Sequence, residues 1–200
     1  LLLVPELSLS NEIPGTLIGT GAGVRLMARL FRDDQWSPLL EPADRSSGQA
    51  KPAARGQVMI SEIMYHPTGP DGAAREAGLD RKSDFEFLEL VNISGEAVDL
   101  GGVYCREGIY FFMSSSHLLD PGERVVIARN ARGMAHRYPR CVVGETYLGN
   151  LGNGRETIAI RAADGKELAW VTYDDEAPWP TRADGGGHSL VRSAFSAEAK

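Results

Sequence analysis

Four carboxylates, Asp174, Asp175, Glu176 and Asp184, fall within eleven residues on either side of Pro178-Trp179-Pro180. A hard cation takes about six to eight oxygen ligands, and clustered aspartates with the free carbonyls of a Gly-rich loop supply several of them. Asp174, Asp175 and Asp184 are therefore candidate ligands for a calcium ion. The spacing is not that of an EF-hand, because the D-x-D-x-D-G frame and its terminal Glu are missing. The competing reading is a solvated acidic loop. Glu62, Glu86 and Glu89 form a second set on expected strands. By alternation Glu89 shares a face with Phe85, Phe87 and Val91, so it is expected to be partly buried and to need a partner. Two carboxylates about 5 to 9 Å apart in a cleft can also hydrolyse a glycoside, but no further residues support that chemistry here.

Softer chemistry has little to gather around. His66, His117, His136 and His188 stand 51, 19 and 52 positions apart, so no local zinc spacing exists. Ser114, Ser115 and Ser116 precede His117 without the Gly-x-Ser-x-Gly elbow of a serine hydrolase. Gly19-Thr-Gly21-Ala-Gly23 lacks the third glycine of a dinucleotide loop, and Gly149 to Gly154 lacks the Lys-Ser/Thr of a phosphate loop, so both read as turns. Cys105 and Cys141 are either a disulfide of an exported sandwich or two free thiols. Asn92-Ile-Ser94 matches a glycosylation acceptor.

Arg124, Arg129, Arg132, Arg137 and Arg140 concentrate five positive charges around one short segment, with His136 and Tyr138 interleaved. Arg129, Arg132, Arg137 and Arg140 are the candidate patch for an anionic polymer or an acidic partner, against the alternative of a solvated helix face. The chain as a whole carries 21 Lys and Arg against 27 Asp and Glu, a balance of −6. Nucleic acid is accordingly not the expected ligand.

The elements that must position these residues are short strands. Apolar runs at 58–65, 86–93, 98–105, 109–113, 124–129, 142–148, 156–161, 167–173 and 188–192 are separated by Ser94-Gly95, Asp120-Pro121-Gly122, Asn153-Gly154 and Asp164-Gly165. Regular strands with such turns predict an all-β antiparallel sandwich. Residues 130–138 read as a single short helix ended by Pro139, and 66–84 as a long exposed loop. Ile60, Phe87, Leu88, Leu90, Leu100, Val126, Ile158, Ile160 and Val171 are the expected core.

Residues 41–57 carry no large apolar side chain and have the composition of a linker. They divide a domain at 58–195 from about 40 leading residues, too few to bury a core alone. Within the leader, 24–40 alternates as a β-hairpin. The first apolar run, Leu1 to Val4, is far short of the roughly 20 residues that cross a bilayer, and no later run does better, so no transmembrane segment is expected. With no initiator Met and no basic region before that run, the chain reads as a piece of a longer protein.

Val58-Met-Ile-Ser-Glu-Ile-Met-Tyr-His-Pro67, Asp84-Phe-Glu-Phe-Leu-Glu-Leu-Val-Asn92 and Val98-Asp-Leu-Gly-Gly102 together resemble the opening of the bacterial lamin-tail domain. Leu119-Asp-Pro-Gly122, Gly149-Asn-Leu-Gly-Asn-Gly154 and Tyr173-Asp-Asp-Glu-Ala-Pro-Trp-Pro180, then Ala183 to Leu190, continue the resemblance in order over 58–192. Val103 stands where the family is expected to carry Trp. The resemblance implies an immunoglobulin-like β-sandwich without catalysis, an interaction or adhesion module of large, exported multidomain proteins. It implies a protein or surface polymer as partner, alongside neighbouring domains of the same chain, and an extracellular or cell-surface location. Residues 1–40 are similar to the end of a preceding β-sandwich module, their hairpin to the last one of the chitobiase C-terminal domain. The alternative reading is a calcium-binding accessory domain of a secreted hydrolase.

Overall fold

The structure, a computed structural model, describes residues 50–193 and the strand backbone at 31–32 and 35–36. The chain divides into two units, Leu1–Gln49 and Ala50–Lys200. In the first, β1 (Phe31–Arg32) and β2 (Gln35–Trp36) pair antiparallel with Phe31 opposite Trp36, inside the hairpin expected over 24–40. The remainder of 1–40, and with it the upstream-module resemblance, lies outside the described residues.

In the second unit the strands follow as β3 (Lys51–Pro52), β4 (Val58–Met64), β5 (Phe87–Asn92), β6 (Val98–Asp99), β7 (Tyr104–Cys105), β8 (Ile109–Phe112) and β9 (Leu118–Leu119). They continue as β10 (Arg124–Ala128), β11 (Val143–Thr146), β12 (Leu148–Gly149), β13 (Glu156–Arg161), β14 (Glu167–Tyr173) and β15 (Leu190–Val191). One five-stranded sheet has the order β11-β10-β5-β4-β15, and a second β12-β8-β7-β13-β14. A third, three-stranded sheet has the order β3-β6-β9. The inner faces of the two large sheets share one apolar core, in which Ile60, Leu88, Leu90 and Ile127 meet Ile109, Phe111, Ile158 and Ile160. This is an immunoglobulin-like β-sandwich.

Eight of the nine expected core residues are buried, and Val171 packs half-buried against them. Val103, in place of the expected Trp, is buried as well. β5 is apolar on both faces because both are covered. Leu88 and Leu90 point to the other sheet, while Phe87 packs with Met64, Val126, Ala128 and Met134 beneath a helix. That helix is α2 (Ala131–Arg137), capped by Asn130, whose side chain accepts from the amides of Arg132 and Gly133.

Three expectations change. The pairing is not wholly antiparallel: β10 and β11 run parallel because α2 carries the chain back between them, and β3 runs parallel to β6. The segment 66–84 is not an exposed loop. It holds α1 (Gly72–Glu76) and a 3-10 turn at Lys82–Phe85, with Ala74, Leu79 and Phe85 forming a small core, so the described unit has two short helices rather than one. Finally, the last residues of the expected linker are part of the fold. Lys51 and Pro52 pair with β6, the amide of Ala53 donates to Asp99 O at 2.9 Å, and Ala53 is buried.

Candidate functional site

The acidic loop begins where β14 ends. Asp174 Oδ1 accepts from the amides of Asp175 (3.0 Å) and Glu176 (3.4 Å), and Asp174 Oδ2 lies 3.7 Å from Arg155 Nη1. Asp184 faces elsewhere, its Oδ1 2.6 Å from His66 Nδ1, at an isolated bridge that ties the loop to the end of β4. Among the described residues no three His, Cys, Asp or Glu side chains come within reach of one ion, so Asp174, Asp175 and Asp184 are not brought together as a ligand set. What they do share is proximity to Tyr65. Its hydroxyl is buried without a hydrogen-bond partner among the described residues, and its pKa is raised by burial and then by Asp184, Asp175 and Asp174.

The arginines also separate. Arg132 Nη2 donates to Ala77 O (2.7 Å), and Arg137 donates to Thr68 O (3.2 Å) and Gly69 O (3.0 Å) while its guanidinium stacks 3.5 Å above the Phe85 ring. Both therefore clasp the 66–85 segment onto α2. Arg129 is turned inward toward Glu86, with its Nε buried. Arg124 is bound to Glu89, which also accepts from the Ser61 hydroxyl (2.6 Å), so the partly buried Glu89 has the partners expected of it. Arg140 is exposed and makes no such contact among the described residues. The cause is long-range: the carbonyls that these arginines satisfy belong to residues 55 to 69 positions away.

Glu86 stands in the sequence as one of three carboxylates on expected strands; its role comes from the fold. Glu86 is 4% exposed, and its Oε2 accepts from Leu151 N (2.9 Å) and the Tyr147 hydroxyl (3.2 Å). Burial pushes its carboxyl up to about 7, against the lowering effect of those two donors and Arg129. Glu156 accepts from Gly152 N (2.9 Å) and lies 2.7 Å from the Tyr173 hydroxyl. The two glutamates thus anchor the Gly149–Gly154 turn to both sheets. The available signal was a carboxylate set between Phe85 and Phe87. Its partners, 61 and 65 residues away, gave none.

The other sequence candidates resolve simply. Cys105 and Cys141 are free, and burial raises both thiols. Asn92 is fully buried. Its amide nitrogen donates to Glu96 O (2.8 Å) and Leu119 O (2.9 Å), and its oxygen accepts from Ser94, so in the fold it is a structural tie rather than a glycan acceptor.

An open groove of about 790 Å³ is lined by β4, β14 and β15. It exists because β14 ends one sheet and β15 ends the other. Trp170, Trp179 and Val191 give it apolar walls, with Trp170 48% and Val191 63% exposed. Arg55, Arg155 and Arg192 stand along it with Glu62 and Glu167.

No curated protein matches the chain. A family model, that of the lamin tail domain, matches residues 51–175, which run from β3 to the start of the acidic loop and so take in all of the sandwich but β15. On that match, which covers more than half of its length, the chain belongs to the lamin tail domain family, a family of non-catalytic immunoglobulin-like domains.

Proposed function

We propose that this chain is a non-catalytic interaction and adhesion module of a larger, exported multidomain bacterial protein, acting outside the cell or at its surface on a protein or a surface polymer. The family match carries this reading, because it spans β4 and β14, two of the three strands that line the groove. The fate of the reactive side chains supports it. Glu86 and Glu156 hold a turn, Asp184 holds His66, and Arg132 and Arg137 hold backbone carbonyls. Residues spent on positioning their own chain are not arranged to turn over a substrate.

The test is saturation binding. Beads carrying the full chain should retain intact bacterial cells or purified surface polymer in a saturable manner that free chain competes away, and fractionated producer cells should hold the parent protein at the surface or in the medium. Binding indistinguishable from uncoated beads, or a parent protein confined to the cytoplasm, would contradict the proposal.

A further inference from the structure

Resting on that interaction-module reading, we propose that the groove beside β14 takes an extended acidic polypeptide segment, which adds to β14 as a further strand. Two observations place a strand there. β14 packs on β4, whereas β15 lies one strand beyond β4, so the β15 sheet overhangs the β14 edge, which has no outer neighbour among the described strands. The groove beneath that overhang is bounded by a sheet edge and a sheet face, the setting in which a peptide gains both main-chain hydrogen bonds and side-chain pockets.

The second observation is incomplete burial along shared rungs. Ile158 and Ile160 on β13 are fully buried, but their cross-strand partners Val171 and Ala169 on β14 are only half-buried, as is Trp179 beside them. The rungs lack their outermost member. The edge is guarded only at its start: sheet edges are normally blunted by lysine, proline, a bulge or shortness, and β14 has a single irregularity, between Glu167 and Ala169. β14 is seven residues long with neither Lys nor Pro, and residues 169–173 keep unbroken register with β13. The outer strands β12 and β15 have two residues each.

Charge selects the occupant. The groove holds Arg55, Arg155 and Arg192 against Glu62 and Glu167, so its arginines outnumber its glutamates by one. Arg155 is exposed, with only a long contact to Asp174. The groove is thus locally positive on a chain of net charge −6. A strand alternating apolar and acidic residues would cover Ala169, Val171 and Trp179 with one face and meet the arginines with the other.

The test uses the full chain and labelled synthetic peptides of about eight residues, a length that matches β14. One alternates Val and Glu, a second alternates Val and Lys, and a third is the Val-Glu peptide with a central Pro. The Val-Glu peptide should bind, and the other two at least roughly tenfold more weakly, because one loses the charge match and the other the main-chain ladder. Arg55→Glu with Arg155→Glu, both exposed, should keep the melting temperature and reverse the preference toward the Lys peptide. Equal binding of the Lys or Pro peptide, no reversal, or no binding of any peptide would overturn the proposal. So would a dimer of the chain that Trp170→Lys dissolves, which would make a second copy the occupant. Beads that retain cell-surface material while every peptide fails would refute this proposal and leave the interaction-module reading standing; peptide binding without any surface binding would do the reverse.

Discussion

Replacing Glu86 with Gln should make the melting temperature of this chain nearly independent of pH between about 5 and 8.5, whereas the native chain should lose stability as pH rises across that window. An exposed glutamate titrates near 4.5; in the fold Glu86 titrates near 7, mainly because burial disfavours its charge. The folded state therefore holds the proton more tightly than the unfolded one. The stability this confers is fully present below about 4.5 and is lost as pH passes through about 7. At about 1.4 kcal/mol for each tenfold difference in proton affinity, the loss is on the order of 3 kcal/mol. For a unit of this size that corresponds to roughly 10 °C of melting temperature. Gln keeps the shape and offers its carbonyl to Leu151 N and Tyr147 while removing the proton equilibrium. The charged neighbours are Arg129 and Glu156, one opposing the other. Asp71, held low by the Ala74 amide, and Asp164, held low by Lys166, weaken the fold only at acid pH below the window. The raised Cys105 and Tyr147 act only above it. Thermal melts by circular dichroism at closely spaced pH values measure this directly. A native melting temperature flat or rising from pH 5 to 8.5, or an identical pH slope in Glu86→Gln, would refute the reasoning.

Three further outcomes follow from the packing. Gly133→Ala should destabilise by about 1–3 kcal/mol in denaturant unfolding, because a Cβ there would meet Asp84 O at 1.9 Å and outweigh the helix propensity gained. Asn92→Ala should cost about 2–4 kcal/mol, since it strands the buried Leu119 carbonyl and releases Ser94 together. Millimolar Ca²⁺ should leave the melting temperature within about one degree, because Asp174 and Asp184 already serve their own chain; a larger shift lost in Asp174→Asn/Asp184→Asn would restore the calcium reading.

How much was legible in the sequence depended on how local the cause was. β13 and β14 lie where alternation and the Asp164-Gly165 turn place them, and α2 lies where Asn130 and Pro139 bracket it. The expected strand over 98–105 is split into β6 and β7 because Gly102, at φ +80°, turns the chain against Ala163. That neighbour is distant in sequence and so invisible to periodicity. The same holds for the site residues. Composition showed five arginines in one stretch but not that Arg132 and Arg137 reach back to Ala77, Thr68 and Gly69. Segment 66–84 reads as a loop because its buried apolar residues Ala74 and Leu79 are too widely spaced to form a period and meet Phe85 only in the folded chain.

Amide hydrogen exchange along β14 tests most directly the proposal that this lamin tail domain binds a strand at the β14 edge. In the free full chain the amides of 169–173 should exchange faster than those of Ile158 and Ile160, because β14 has no outer neighbour among the described strands. Adding the Val-Glu peptide should slow exchange at 169–173 and leave β13 unchanged. Protection confined to α2 and the 66–85 segment, or none anywhere in the sandwich, would contradict the account.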